Sequence, residues 1–329
     1  MPHPPRILVS RRRFALAGLG VAMAPRLAFG DDFPNRPMKI LVGFSAGSPS
    51  DVLARAMAEK LSRSFGQPVI VENKPGAGGI VAAKALLQAP PDGHTMLVVS
   101  AAHAATPVIR LKLDFDPVAD IAGVTRIANV PSMLVANRDL GVKTLQDLIA
   151  RLRQSPGAMS YSTPSRGSAN HFAAAYFLAK ANLKAADVPY KGVPEALTAV
   201  ISGECQFSFV PVPNVVKLVE EGRVLALAAS TGARSNVLPD VPTVAEAGVP
   251  GYAFDPWFGL LTRSGLPKPI LDKLVGAGQA ALAQEDMRSR FAVIGAEISP
   301  LPGERFDTYI REEIAKFESI AADAGIEKT

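Results

Sequence analysis

Ser45 stands in Gly43-Phe44-Ser45-Ala46-Gly47, between a short apolar run and an amphipathic stretch. This is the Gly-x-Ser-x-Gly spacing of a nucleophile elbow, which lifts a serine hydroxyl onto a tight strand-to-helix turn for acyl transfer. A hydrolase triad of that kind also needs an acid and then a histidine well downstream. Here the last histidine is His171 and no HGGG-type loop exists. Hydrolysis by Ser45 therefore stands as a rival to a second chemistry that needs no turnover. In the same segment Ser48 can cap the following helix, Pro49 suits its first turn, and Asp51 completes a capping-box spacing. Unpaired N–H groups at a helix start favour anions. With the hydroxyls of Ser45, Ser48 and Ser50 beside them, the loop reads either as a carboxylate cradle or as a well-capped helix without a ligand.

A second junction has the same character. Tyr161-Ser162-Thr163-Pro164-Ser165-Arg166-Gly167-Ser168-Ala169-Asn170-His171 again follows an apolar strand and leads into a helix. Two facing helix starts can neutralise a small carboxylate without a dedicated Lys or Arg. Other chemistries lack their residues. There is no Walker A pattern, Gly76-Ala77-Gly78-Gly79 fails the dinucleotide fingerprint, and His94, His103 and His171 lack metal-ligand spacing. These read as turn, cap or packing residues, and neither cofactor nor metal is expected. Cys205 is the one cysteine, so no intramolecular disulfide forms, and its apolar neighbours read as core.

Short apolar strands alternating with amphipathic helices position these loops and predict an α/β fold with mainly parallel sheets. Strands are expected at 38–42, 68–71, 95–100, 133–136, 158–162, 187–190, 206–210, 224–229 and 257–262. Helices are expected from the Ser48 cap to Phe65, over about 79–87, and over about 304–322, where Phe306, Ile310, Ile314, Phe317 and Ile320 share one face. No internal repeat is evident. At 329 residues, 48% hydrophobic and 20% charged, the chain is neither disordered nor membrane-embedded, and two lobes are expected.

The formal charge of +5 suggests a basic protein until its position is noted. Arg6, Arg11, Arg12, Arg13 and Arg26 lie in residues 1–30, which hold no acid, and the remaining 30 basic residues face 30 acidic ones. A nucleic-acid partner is not expected. Residues 1–30 read as a cleavable export signal, with the uncharged run Phe14–Ala24 too short to span a bilayer. Cleavage is expected after Gly30, since Ala22-Met23-Ala24 is followed by Pro25. Arg12-Arg13-Phe14 has the form of a twin-arginine motif, and the general secretory route is the alternative.

From Phe33 onward the chain resembles the substrate-binding components of tripartite tricarboxylate transporters, the Bug family of periplasmic solute receptors. The resemblance rests on Phe33-Pro34-Asn35-Arg36-Pro37, Gly47-Ser48-Pro49-Ser50-Asp51 and the run from Val71 to Gly79. It continues in Pro91-Asp92-Gly93-His94-Thr95, Val188-Pro189-Tyr190-Lys191-Gly192, Leu238 to Gly248 and Trp257-Phe258-Gly259. It implies a monomeric two-lobed α/β receptor that performs no chemistry and closes on a small organic carboxylate. Lobe 1 would comprise 31–130 plus 231–329, and lobe 2 would comprise 131–230. One half of the grip would be Phe44, Ser45, Ala46, Gly47, Ser48 and Asp51. The other would be Ser165, Gly167, Ser168, Ala169, Asn170 and His171. Val210 replaces an acid common in the family, which argues against amino-acid ligands, and Ala169 removes a hydroxyl from the second loop. Arg166 either pairs with a second ligand carboxylate or sits in solvent. Implied partners are integral membrane transporter subunits or, alternatively, a membrane sensor.

Overall fold

The computed structural model describes Met1 and residues 33–328, and the export-signal expectation for 1–30 lies outside the described residues. The first stretch runs β1 (Met38–Val42), α1 (Pro49–Phe65), β2 (Val69–Asn73), α2 (Ile80–Gln88), β3 (Thr95–Ser100), α3 (Ala102–Ile109) and β4 (Ile121–Asn129). The chain then crosses into β5 (Ser132–Asn137), α4 (Leu145–Gln154), β6 (Ser160–Thr163), α5 (Ala169–Lys180) and β7 (Ala186–Pro189). It continues through α6 (Val193–Ser202), β8 (Phe207–Pro211), α7 (Val212–Glu220) and β9 (Val224–Ala229). It returns for β10 (Trp257–Arg263), α8 (Lys268–Leu282), α9 (Glu285–Ala292), β11 (Glu297–Pro302) and α10 (Gly303–Ala324).

Two sheets result. Their orders are β11-β4-β10-β3-β1-β2 and β7-β6-β8-β5-β9. In the first, β1 lies parallel between β2 and β3, while β10 is antiparallel to β3 and β4, and β11 is antiparallel to β4. In the second, β6 lies parallel between β7 and β8, while β5 is antiparallel to β8 and β9. The sheets are thus mixed, which corrects the expectation of mainly parallel ones. The same five-strand plan occurs twice, so a repeat exists in topology that no sequence period reveals. β4 and β11 were not expected. Gly123, Arg126 and Asn129 interrupt the apolar pattern of β4, and Pro300 and Pro302 in β11 are tolerated because it is an edge strand with a shifted register.

Central strands such as β3 and β5 are buried along nearly their whole length, because helices cover both faces of each sheet. The last helix joins the two halves. Phe317 of α10 meets Phe172 of α5 edge-on at 4.6 Å between ring centres and Phe254 at 5.8 Å. Trp257 Nε1 donates to Glu313 Oε2 of α10 at 3.1 Å, and Tyr252 Oη donates to the Ala173 carbonyl of α5 at 3.0 Å. Burial pushes the Glu313 carboxyl up, against the attraction of Lys316 and the Trp257 hydrogen bond.

Phe306 of α10 lies fully buried against Gly123 and Gly259, and a methyl group at 259 would overlap its ring. Gly259→Ala is therefore expected to lower stability by about 1–3 kcal/mol through overpacking. The midpoint of urea unfolding, compared with wild type, measures it.

Candidate functional site

The strands aim two loops toward the crossings between the sheets. Val42 ends β1 at the edge of the first sheet where β3 ends at Ser100, β10 begins at Trp257 and the chain leaves β4 at Asn129. Thr163 ends β6 at the edge of the second sheet where Pro211 pairs with Ser132, the residue by which the chain enters. Both loops thus sit at strand carboxyl ends, where open α/β sheets receive ligands.

The first loop, 43–48, is built around its glycines. A side chain at Gly43 would place its Cβ 2.6 Å from the Gly79 Cα, so two backbones pass there with no room for more. Gly47 has φ +80°, a left-handed turn that glycine adopts freely. Ser48 N–H donates to the Ser45 carbonyl at 3.2 Å, and Ser48 Oγ caps α1 by accepting the Asp51 N–H at 3.3 Å. The expected capping box is shifted by one residue, because the Asp51 carboxylate takes the Gly47 N–H at 2.9 Å instead of that of Ser48. Asp51 also accepts from Arg55 Nε and Asn73 Nδ2, both at 2.9 Å, and Asn73 reaches the Phe44 carbonyl at 3.0 Å. Burial alone would push the Asp51 carboxyl up, but the bonds from Arg55, Gly47 and Asn73 hold it below its ordinary value.

The second loop, 164–168, follows the same plan. Gly167 has φ +79°, Ser168 N–H donates to the Ser165 carbonyl at 3.3 Å, and Ser168 Oγ accepts the His171 N–H at 3.2 Å. The Gly167 N–H again donates to the third helical residue, here His171 Nδ1 at 3.3 Å. Ser-x-Gly-Ser-x-x-Asp and Ser-x-Gly-Ser-x-x-His are therefore two versions of one device. Behind His171 stands Asp187 of β7, whose Oδ2 is 3.8 Å from Nε2 and accepts from Arg166 Nε at 2.9 Å. Arg166 is exposed, as the solvent alternative expected, and its pairing with Asp187 is the feature that alternative did not foresee. Burial lowers the His171 pKa, against the pull of Asp187.

These bonds sort the expected grip residues. Asp51 and His171 are buried, and the amides of Gly47 and Gly167 are already engaged within the loops. Ser45, Ala46 and Ser165 are exposed, and Ser48, Ser168 and Ala169 are half-buried. Asn170 is buried and ties the start of α5 to the crossing, donating from Nδ2 to the Phe209 carbonyl at 2.8 Å and Ser132 Oγ at 3.4 Å. The helix starts are unequal donors, since position N1 is Pro49 in α1 and Ala169 in α5. Phe44, with Gly79, Ser100 and His103, lines a cavity of about 20 Å³, room for one water. His103 Nε2 donates to the Pro117 carbonyl at 2.9 Å. Val210 is buried in an apolar cluster with Met133, Val135 and Val212. Ile109 of α3, which sequence reasoning did not single out, packs on Gly167 so closely that any side chain there would overlap it. Among the described residues no cluster of His, Cys, Asp and Glu is arranged to hold a metal, and no helix is long and apolar enough to cross a membrane.

Residues 53–326 match the family described as "Tripartite tricarboxylate transporter family receptor". Among solved structures, the chain is similar to Rpa4515 of R. palustris with adipate, at 32% identity and a TM-score of 0.78, covering 91% of this chain and 100% of that one. It is similar to MatC (Rpa3494) from Rhodopseudomonas palustris with bound malate, at 31% identity and 0.74, covering 88% and 99%. It is similar also to the periplasmic binding protein BugD, at 27% and 0.76, covering 90% and 100%. These are two-lobed solute-binding proteins and not enzymes, so the hydrolase reading of Ser45 falls.

Asp51→Ala removes the acceptor shared by Gly47, Asn73 and Arg55 and is expected to cost about 1–3 kcal/mol in chemical denaturation. Asp51→Asn, which keeps one acceptor oxygen, is expected to cost less. The folded carboxyl titrates below the unfolded one. The wild-type advantage over Asp51→Ala is therefore present above the unfolded value of about 3.9 and lost as pH falls through the lower folded value.

Proposed function

Because the chain belongs to the tripartite tricarboxylate transporter receptor family, we propose that it captures a small organic carboxylate between the 43–48 and 164–168 loops and delivers it to integral membrane transporter subunits. The observation that carries this reading is the repeated loop device. Each loop sets a left-handed glycine and a serine cap before a helix, bringing to the carboxyl ends of the strands a helix start with nearby hydroxyls, richer in free amides at Ala169 of α5 than at Pro49 of α1. Such donors suit a carboxylate. Adipate and malate in the related structures, both dicarboxylates, support the same class here.

The donors act locally, since the chain after residue 30 carries 30 basic and 30 acidic residues. No cation dominates either loop, and Arg166 is already paired with Asp187. Selectivity would come from geometry and hydroxyl placement, with Ala169 removing one hydroxyl from the second loop and the apolar Val210 disfavouring a ligand amine. Closure would add contacts from both lobes that neither offers alone, and the Ile109–Gly167 contact supports such an approach. Proteins of this family are periplasmic. In this reading residues 1–30 are the export signal, removed before the receptor works as a monomer.

A thermal-shift comparison of adipate and malate with the matching diamides tests the proposal. At about 100 times Kd a ligand specific for the native state adds about 2.7 kcal/mol of stability. A rise in melting temperature with at least one diacid and none with its diamide is expected. Equal stabilisation by acid and amide overturns the carboxylate reading.

A further inference from the structure

The two loops share their plan but differ in one atom. The acceptor for the left-handed glycine's amide is a carboxylate oxygen of Asp51 in the first loop and the Nδ1 of His171 in the second. Asp51 accepts at any pH above its lowered titration. An imidazole Nδ1 accepts only while it carries no proton. Protonation of His171 would set an N–H against the Gly167 N–H at 3.3 Å, two donors with no acceptor between them. Gly167 is also the residue on which Ile109 of the other lobe packs, so the lost bond falls where the lobes meet.

We propose that His171 is a positioning residue that shapes the 164–168 loop only as the neutral ring with bare Nδ1 and its proton on Nε2, so that carboxylate capture weakens on acidification. The capture clause rests on the receptor reading above, whereas the loop geometry does not. The groups facing the ring are Asp187 from β7, Arg166 from the loop and, through Asp187, Tyr161 from β6, with Phe172 edge-on from α5 itself. Asp187 pulls toward the imidazolium, but Arg166 and Thr163 Oγ1 share its charge, and the ring is nearly excluded from water. The folded ring thus holds its proton more weakly than the unfolded chain. The Gly167 bond is present above the folded value and lost as pH falls through it, below the ordinary imidazole value of about 6.5.

The test has two arms. In ¹⁵N-labelled, ligand-free protein, long-range imidazole spectra are expected to show His171 protonated on Nε2 alone at neutral pH. The Gly167 amide should shift with the ring as pH falls. A proton on Nδ1 at neutral pH, or a Gly167 amide that does not follow the ring, overturns the proposal. In the second arm, calorimetry with adipate and malate follows affinity from about pH 7.5 to about pH 5.5. His171→Ala is expected to weaken binding throughout. His171→Asn, whose Oδ1 can accept as Asp51 does at the equivalent position, is expected to rescue binding and to lose the wild-type decline, which stays under about tenfold to about pH 5.5 because the ring titrates below its ordinary value. An equal decline in wild type and His171→Asn overturns the proposal. If neither diacid binds, the ligand class of the receptor reading fails, while the spectra still decide the role of His171.

Discussion

Both halves of the candidate site depend on one hydrogen bond that is directed inward. A left-handed glycine gives its amide to the third residue of the following helix, and that bond closes the turn that leads into the helix start. The serine caps, the Ser45 and Ser165 turns, Asn73 and Arg55 on Asp51, and Asp187 beside His171 are arranged around it. Without it the loop gains freedom and the helix start loses its aim. Pre-ordering of this kind would lower the cost of binding in the proposed reading, since the receptor would not need to organise its donors around an arriving anion.

The sequence made much of this legible, and what it hid has physical causes. β1, β3 and β9 begin and end as expected because continuous apolar runs are bounded by turn residues. The orientation of β5 and β10 was hidden because each antiparallel partner lies far along the chain or follows a long excursion, with no hairpin turn to announce it. Ser48 was readable as a helix cap from spacing alone, and the matching cap by Ser168 is seen only in the structure. The roles of Asp51 and His171 were not readable, since holding a neighbouring amide and gripping a ligand call for the same residue types in the same loop. Asn73 and Asp187 arrive from the adjacent parallel strands, a neighbourhood that only topology creates.

Charge placement follows a similar logic. The basic excess lies in residues 1–30, outside the described structure, and the folded part is balanced. Ion pairs there serve local architecture. Lys60 of α1, nearly buried, meets Asp286 of α9, and Arg290 of α9 meets Glu59 of α1. The exposed Arg290–Glu59 pair adds little alone, but with the pair made by the buried Lys60 it helps fix how α1 and α9 lie against each other. In the proposed carboxylate reading, anion preference would rest on uncharged groups, which discriminate by direction more than by field.

The two sheets also differ in how their strands are ordered along the chain. All strands of the second sheet come from 132–229, whereas the first takes β1 to β4 from one end of the chain and β10 and β11 from the other. During synthesis the second sheet can assemble from one emerging run. The first must wait: β3 lacks its β10 partner until more than half of the remaining chain has been made, and α10, which packs on α3 and α5, comes last. Such a polypeptide spends about half of its translation with the β3 edge unpaired, so its aggregation hazard is set by the interval before β10 leaves the ribosome.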